Sequence, residues 1–204
     1  DKIYCAPGNG GIAELAECVD IAATDIENMV KFAKDNAIDL VMVAPDDPLV
    51  LGMVDAMEKE GIRAFGPRAN AAIIEGSKAF SKELMKKYNI PTANYEVFTD
   101  STSAIDYIKA QNTFPTVIKA DGLALGKGVI IAKNLEEAEQ AVHEMIDDGK
   151  FGKSGSRVVI EEFLTGPEVS VLAFTDGKTV KPMVSAQDHK RAYDNDEGLN
   201  TGGM

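Results

Sequence analysis

The sequence has few of the residues that metal and nucleophile sites are usually built from. Its 204 residues include only two cysteines and two histidines. Cys5 and Cys18 form no Cys-x-x-Cys pair, and no second cluster completes a zinc site, which predicts a reduced, cytoplasmic protein. With two histidines and no nucleophile elbow, a Ser-His-Asp or Cys-His hydrolase is also excluded.

Long apolar runs and an excess of positive charge are missing as well. No run approaches the ~20 residues that span a bilayer, and the first residues lack the basic-then-apolar pattern of a signal peptide. The 33 acidic residues outnumber the 21 lysines and arginines, so the net charge is -12. Because this charge repels phosphate backbones and anionic headgroups, nucleic-acid and membrane partners are not expected. With 45% hydrophobic and 26% charged residues, the composition is typical of a folded globular protein.

Strand-like and helix-like segments alternate up to about residue 70. Short apolar runs at 2–6 and 40–43 predict strands, and Thr24-Asp25-Ile26-Glu27 is a capping box that predicts a helix start. The segments at 7–11 and 44–48 are predicted to be loops after the two strands. This order predicts a partial Rossmann-like, parallel α/β domain over residues 1–74, with ligands at the carboxyl ends of its strands.

The second half has a different character. Apolar spacing predicts a helix over 77–88, and three β-branched runs predict short strands, with an acidic helix between the last two; these strands are 116–120, 129–132 and 157–161. The runs 169–174 and 180–184 predict a hairpin that turns at Asp176-Gly177. The fold class is therefore α/β, with a strand-rich α+β region in the second half.

A glycine-rich segment between two predicted strands carries a lysine at each end. Lys119 precedes Ala-Asp-Gly, and Lys127 lies between Gly126 and Gly128. Glycines allow close approach of backbone N–H groups to phosphate oxygens, so the segment is suited to wrap a triphosphate. It is not a Walker A loop, because the spacing differs and a strand follows instead of a helix. The alternative is an ordinary hairpin with exposed lysines.

Two further segments have patterns typical of ligand sites. The segment from Val158 to Leu164 offers a strand edge for an adenine ring and apolar side chains to line its pocket, and Glu168 offers a carboxylate for ribose hydroxyls. The alternative is a solvated acidic turn. Gln187-Asp-His-Lys-Arg191 packs a carboxylate, an imidazole and two cations together, which suits phosphoryl transfer, the alternative being a charged surface loop.

A dinucleotide site at the first turn is only weakly indicated. Gly8-Asn-Gly-Gly-Ile-Ala13 follows a predicted strand and nominally fits Gly-x-Gly-x-x-Ala. No acidic residue ends a following strand at the usual distance. An anion-binding nest is favoured over NAD binding, and a plain turn is the alternative to both.

The motifs, taken in order, resemble the phosphoribosylamine-glycine ligase (glycinamide ribonucleotide synthetase) family of the ATP-grasp superfamily. The resemblance covers nearly the whole chain and is carried by Pro7-Gly-Asn-Gly-Gly11, Glu75-Gly-Ser-Lys-Ala-Phe80, Lys119-Ala-Asp-Gly122, Gly126-Lys-Gly128, Glu161-Glu-Phe-Leu164, Gln187-Asp-His-Lys-Arg191 and Asn200-Thr-Gly-Gly-Met204. It implies a Rossmann-like substrate domain over 1–74 and an incomplete ATP-grasp domain over 75–204, with a small nucleotide-covering lobe at about 115–163. The implied reaction joins glycine to 5-phosphoribosylamine through glycyl phosphate, with ATP and Mg2+ as cofactors.

The resemblance also implies roles for individual residues. The implied ATP contacts are Lys78, Lys119, Gly126, Lys127, Gly128, Glu161, Phe163, Leu164 and Glu168. The implied substrate contacts are Asn9, Gly10, Gly11, Asp46, Asp188, Lys190, Asn200, Thr201 and Gly202. Lys119, Lys190 and Arg191 are the implied catalytic residues.

The chain departs from the family pattern at both ends and at one loop. It begins at Asp1 and stops at Met204, so we expect a fragment whose magnesium ligands lie beyond Met204 and which is inactive by itself. Ala44-Pro45-Asp46 replaces the family's Gly-Pro-Glu, which weakens the transfer of a role to Asp46. Two alternatives stay open: an ATP-grasp ligase for another carboxylate, and a non-catalytic nucleotide-binding module.

Overall fold

The computed structural model describes residues 2–123, 128–187, 189–194 and 197–203. The chain divides into two compact units, Asp1–Phe163 and Leu164–Met204. No helix in the described part of the chain is long and apolar enough to cross a bilayer.

The first part of unit 1 is built from parallel strand pairs and short helices. Its strands are β1 (Tyr4–Cys5), β2 (Glu17–Cys18), β3 (Val41–Met42) and β4 (Ala64–Phe65). Its helices are α1 (Ile26–Asp35), α2 (Asp46–Val50), α3 (Met53–Lys59) and α4 (Ala69–Gly76), with a 3-10 turn at Ile12–Glu14. β1 pairs in parallel with β2, and β3 with β4. These parallel pairs confirm the predicted α/β class.

A small apolar core holds this part together. Ala33 on α1, Val43 after β3 and three residues of α3 are almost completely buried; the three are Met53, Val54 and Met57. Their helical spacing places them on one face of α3, which covers the β3 and β4 pair.

Two local predictions were wrong in this region. The cap of α1 is Asp25 and not Thr24, because the Asp25 carboxylate accepts the Asn28 N–H at 3.2 Å. The segment from Asp46 is the helix α2 and not a loop. Pro48 is compatible with that helix because it lies in the first turn, where no backbone N–H has an intrahelical partner.

The second part of unit 1 is a four-stranded antiparallel sheet in the order β5-β8-β6-β7. The strands are β5 (Tyr95–Phe98), β6 (Thr116–Ala120), β7 (Val129–Ala132) and β8 (Val158–Glu162). The helices are α5 (Lys78–Lys87), α6 (Ser101–Gln111) and α7 (Leu135–Ile146), with a 3-10 turn at Gly152–Gly155. The predicted bounds of β6 and β7 are confirmed, and β8 is shifted by one residue. β5 and α6 were not predicted.

Helices α6 and α7 cover one face of this sheet. Alternate strand residues such as Ile118 and Ile160 point into a core that also contains Ile108, Val142 and Met145. All five are at most 2% exposed. Because side chains of a strand alternate between faces, the intervening residues of β6 and β8 point to the opposite face, where α5 lies against β8.

Unit 2 contains two antiparallel pairs. β9 (Ala173–Thr175) pairs with β10 (Val180–Pro182), and β11 (His189–Tyr193) pairs with β12 (Glu197–Gly203). The turn between β9 and β10 is formed by Asp176, whose Oδ1 accepts the N–H groups of Lys178 and Thr179 at 2.9 and 2.7 Å. The predicted hairpin is confirmed, with shorter strands than its sequence pattern suggested.

Candidate functional site

A charged pair lies on the face of the sheet opposite to α6 and α7. In the register of β6 with β8, Lys119 is opposite Val159 and Val117 is opposite Glu161, so Lys119 and Glu161 are diagonal neighbours. Lys119 Nζ lies 2.6 Å from Glu161 Oε1. The Glu161 side chain is only 5% exposed, whereas that of Lys119 is 28% exposed. The lysine therefore keeps access to solvent while the carboxylate is buried.

A second lysine completes this cluster from α5. Lys82 Nζ lies 2.7 Å from Glu161 Oε2 and donates to Thr92 Oγ1 at 2.7 Å. Its side chain is 10% exposed. A buried carboxylate between two ammonium groups leaves a net charge of +1, which favours an anionic ligand. Sequence reasoning missed Lys82, although it follows Lys78 by four residues and so lies on the same side of the helix.

Both oxygens of the Glu161 carboxylate are engaged by lysines. Oε1 is buried and lies 2.6 Å from Lys119 Nζ, and Oε2 lies 2.7 Å from Lys82 Nζ. The two ammonium charges compensate for the water that the carboxylate loses on burial. Glu161 therefore holds the two lysines in place, and the partly exposed Lys119 is the group that a ligand can reach.

Lys78 lies at the start of α5, close to the end of β6. Its Nζ donates to the backbone oxygen of Gly122 at 2.9 Å. Partial burial removes solvent from the ammonium group and lowers the pKa of Lys78, and the charges of Asp121 and Glu75 oppose that shift. The predicted residues Lys78 and Lys119 therefore flank one segment of chain, the residues that follow β6.

An open apolar strip lies beside Lys119 on β7. Val129 is opposite Lys119 and Ile131 is opposite Val117 in the antiparallel register. Their exposures are 44% and 49%, high for branched residues within a sheet. A cation next to a flat apolar surface is an arrangement that suits a ring system joined to an anionic chain.

The glycine-rich segment is described only at its ends. Gly128 accepts the Ala120 N–H through its backbone oxygen at 2.8 Å, which closes the β6-β7 hairpin. The predicted phosphate contacts Gly126 and Lys127 lie outside the described residues.

The predicted adenosine residues after β8 are largely exposed. Phe163 is the last residue of unit 1, and Leu164 and Glu168 belong to unit 2. Glu162 lies between Glu161 and Phe163, and its carboxylate is already engaged in hydrogen bonds. It accepts them from the backbone N–H and the Nδ2 of Asn94, both at 3.0 Å.

The predicted substrate residues near the N-terminus make local contacts. Asn9 Oδ1 accepts the Ile12 N–H at 2.9 Å and so caps the 3-10 turn. Nothing lies within 4 Å of the position that a Cβ of Gly10 would take, so the backbone there is accessible. Gly11 follows in the same exposed turn. Asp46 accepts the N–H of Asp47 at the start of α2.

The two predicted motifs of unit 2 are brought together by backbone pairing. Arg191 of β11 is directly opposite Asn200 of β12. Lys190 precedes Arg191 in β11, and Thr201 and Gly202 follow Asn200 in β12. Asp188 lies outside the described residues, as do the side chains of Lys190, Arg191, Asn200 and Thr201.

Family models match the whole chain. The model for the N domain of phosphoribosylglycinamide synthetase matches residues 1–75, and the model for its ATP-grasp (A) domain matches residues 76–204. Phosphoribosylamine-glycine ligases of Halalkalibacterium halodurans and Haemophilus influenzae are each 54% identical to the chain over its full length. The chain spans about half of these relatives, 47% and 48% of their lengths.

Solved structures show the same fold. The crystal structure of phosphoribosylamine-glycine ligase from Thermotoga maritima is 33% identical, with a TM-score of 0.82, and the alignment covers 100% of this chain and 48% of that one. A biotin carboxylase domain of Hydrogenobacter thermophilus, solved with MgADP, ADP and bicarbonate, is 18% identical with a TM-score of 0.66. That alignment covers 82% of this chain and 40% of the domain, and it shows a shared fold.

Proposed function

The chain belongs to the phosphoribosylglycinamide synthetase family, and from this membership we propose that the protein containing it is an ATP-dependent phosphoribosylamine-glycine ligase. The reaction joins glycine to 5-phosphoribosylamine and gives glycinamide ribonucleotide, ADP and phosphate, a step of purine biosynthesis in the cytoplasm. Residues 1–74 would bind substrate, and residues 75–204 would form the ATP-grasp part, with its small nucleotide-covering lobe at about 115–163.

The observation that carries this proposal is the cluster formed by Lys82, Lys119 and Glu161. It places a net positive charge, with Lys119 partly exposed, beside the open apolar strip of β7. In a chain of net charge -12, a local positive site next to an apolar surface favours a nucleotide over a general anion. The base would lie on the apolar strip and the phosphates would reach the lysines.

The phosphates of ATP are assigned to the residues around the glycine-rich segment. Lys78 and Lys119 supply charge from α5 and β6, and Gly126, Lys127 and Gly128 supply backbone donors and a further cation. Glu161, Phe163 and Leu164 are assigned to the adenine, and Glu168 to the ribose. Fixed cations around the phosphates stabilise charge on the transferring phosphoryl group without the cost of reorganising water.

The chemistry proceeds in two transfers. A glycine carboxylate oxygen attacks the γ-phosphorus of ATP, ADP leaves, and glycyl phosphate forms. The amine of phosphoribosylamine then attacks the carbonyl carbon, the C–O bond to phosphate breaks, and the amine loses a proton. Phosphate is a far better leaving group than the oxide of a free carboxylate, and exclusion of water protects the intermediate from hydrolysis.

The substrate side is assigned to two segments. Asn9, Gly10, Gly11 and Asp46 are proposed to contact phosphoribosylamine, and Asp188, Lys190, Asn200, Thr201 and Gly202 to complete the site. Lys190 and Arg191 are proposed as catalytic cations that stabilise charge during phosphoryl transfer. The pairing of Arg191 with Asn200 supports this grouping, because it holds the two motifs side by side.

Magnesium would neutralise phosphate charge in this reaction. Among the residues that the structure describes, no group of three His, Cys, Asp or Glu side chains is arranged to hold a metal ion.

The proposal is tested with protein expressed from the complete reading frame. ADP formation should require both glycine and phosphoribosylamine, and Lys119→Ala should reduce it by at least about 100-fold, because a charge at the transferring phosphoryl group is lost. Lys109→Ala is the matched control, since Lys109 lies on α6 in an exposed ion pair with Glu139 and should leave turnover unchanged.

Three results would contradict the proposal in different ways. Undiminished turnover in Lys119→Ala would exclude the assigned role of that lysine. ADP formation with another carboxylic acid but not with glycine would indicate a different ATP-grasp ligase. ATP binding without turnover on any acid and amine pair would indicate a non-catalytic nucleotide-binding protein.

A further inference from the structure

A second polar cluster joins α5, β6 and β8 at the start of the glycine-rich segment. We call it the Asp121 clasp and define it as Ser77, Asp121 and Arg157. Asp121 Oδ1 accepts the Ser77 hydroxyl at 3.0 Å and the Ala79 N–H at 2.7 Å. Its Oδ2 accepts Arg157 Nε at 3.0 Å and also pairs with Arg157 Nη2. One carboxylate, 12% exposed, thus connects three segments.

Backbone hydrogen bonds reinforce the same junction. The Asp121 oxygen accepts the Lys78 N–H, and the Asp121 N–H donates to the Arg157 oxygen, both at 3.0 Å. Lys78 Nζ donates to the next carbonyl, that of Gly122. Gly122 is also tightly confined, because a Cβ there would come within 2.4 Å of Ser154 Oγ. Asp121 and Gly122, which lead into the glycine-rich segment, are therefore both fixed by contacts with residues of other segments.

Helix capping alone does not account for this cluster. Ser77 already caps α5, since its Oγ accepts the Phe80 N–H at 3.1 Å. The two-pronged pair of Asp121 with Arg157 is additional, and removing a carboxylate from water is expensive even when it is paired. The cluster lies where Lys78 meets the chain that leaves β6.

We propose that Asp121 is a positioning residue, which fixes the Lys78 ammonium and the entry to the glycine-rich segment so that they match the phosphates of a bound nucleotide. Arg157 holds the carboxylate in the required orientation. The proposal rests on the proposed function, in that it assumes a nucleotide at this site. Preorganised donors cost no ordering energy when the ligand binds, and displacement by about 1 Å is enough to lose much of their effect. Asp121 also favours the charged form of Lys78 against the effect of burial.

The variant Asp121→Asn distinguishes a positioning role of Asp121 from a purely electrostatic effect of its charge on ATP binding. Asparagine keeps the size and one acceptor oxygen but loses the charge pair with Arg157. Removing a negative charge close to bound phosphates should by itself strengthen ATP binding. If Asp121 acts by positioning, ATP binding should instead weaken, by about tenfold, while AMP binding changes less than about twofold. Calorimetric titration of protein from the complete reading frame measures both affinities.

Two further variants complete the test. Arg157→Lys keeps the charge but not the two-pronged geometry, so ATP affinity should fall about threefold. Ile118→Val is the matched structural control, since Ile118 is fully buried on the other face of β6. It should lower the melting temperature and leave both affinities unchanged when binding is measured well below that temperature.

The outcomes are distinguishable. Unchanged or tighter ATP binding by Asp121→Asn, or equal loss of ATP and AMP affinity, would overturn the positioning role. If Asp121→Asn does not fold, Arg157→Lys decides by the same comparison. If the unsubstituted protein binds ATP but forms no ADP with glycine and phosphoribosylamine, the proposed function fails and the positioning result stands. If it binds no ATP, both are overturned.

Discussion

The two faces of the four-stranded sheet use the same strands for different purposes. On one face, Ile118 and Ile160 are buried under α6 and α7 in a wholly apolar core. On the other, their neighbours Lys119 and Glu161 form an ion pair beside the exposed Ile131. Because side-chain direction alternates along a strand, one face forms an apolar core, whereas the other combines buried residues such as Val159 with partly exposed side chains that are available for chemistry. Substitution on the covered face should change stability and not binding. On the charged face, the buried ion pair should contribute to stability and the exposed residues to binding.

The largest stability effect is expected on the covered face. Met145→Ala removes a fully buried side chain from α7 and should lower the free energy of unfolding by about 2–5 kcal/mol through lost transfer energy and a cavity. Urea unfolding followed by circular dichroism measures this loss. ATP affinity, determined well below the unfolding transition, should not change. A loss below about 1 kcal/mol, or a large loss of affinity, would contradict the separation of the two faces.

The buried ion pair of Lys82 with Glu161 should show the next largest effect. A double-mutant cycle of Lys82→Met and Glu161→Gln should give a coupling energy of about 1–3 kcal/mol, because each substitution leaves the other group buried and poorly paired. The control is the cycle of Lys109→Met and Glu139→Gln in the exposed pair on α6 and α7, which should couple more weakly. Equal coupling in the two cycles would show that burial of Glu161 is energetically unimportant.

Substitution in the open apolar strip of β7 should have a smaller effect on stability but a measurable effect on ATP binding. Ile131→Ala should cost less than about 1 kcal/mol in the free energy of unfolding, since half of the side chain is already exposed. It should weaken ATP binding about fivefold by removing apolar contact with the base. Ile90→Ala, at a similarly exposed position after α5, is the control and should not alter affinity. If both variants bind ATP with the same affinity, the base does not lie on this strip.

The smallest expected effect is on the ionisation of Lys78. Burial disfavours its charged form, so its pKa should lie below the ordinary value near 10.5, whereas the ion pair with Glu60 places the pKa of Lys34 above it. Because unfolding restores the ordinary pKa of Lys78, the free energy of unfolding should rise as the pH increases from the lowered pKa to the ordinary one. NMR titration of 13C-methylated lysines measures both groups. A pKa of Lys78 equal to or above that of Lys34 would contradict the assigned environment.

Local patterns in the sequence were sufficient for several elements. The bounds of β6 and β7 and the acidic helix α7 were predicted because β-branched runs and helical spacing act over a few residues. Local chemistry was also the source of error. At α1, the Asp25 carboxylate accepts the Asn28 N–H and excludes Thr24 from the capping position. At α2, the segment 44–48 was predicted to be a loop, although a proline such as Pro48 is tolerated in the first turn of a helix.

The candidate site could be predicted only in part. Lys119 and Glu161 are recognisable because each lies in a motif with a chemical meaning. Lys82 lies in no motif of this kind. Ser77 and Asp121 do lie in such motifs, but no local pattern predicts that they meet, since Asp121 and Arg157 are 36 positions apart and Ser77 and Asp121 are 44 apart. Such contacts depend on the packing of α5 against the sheet, which no local pattern specifies.

By itself, the sequence determined the parallel α/β character of the first half, the strand-rich α+β character of the second, and the family, because these follow from local periodicity and from ordered motifs. Only the tertiary structure decided which charges meet. Antiparallel register placed Lys119 diagonally opposite Glu161, and the packing of α5 brought Lys82 to the same carboxylate. The physical reason is that water screens a solvated charge, so its electrostatic energy changes little with its neighbours in the chain. In a buried site the screening is weak, and the energy depends strongly on any partner that folding brings within about 3 Å.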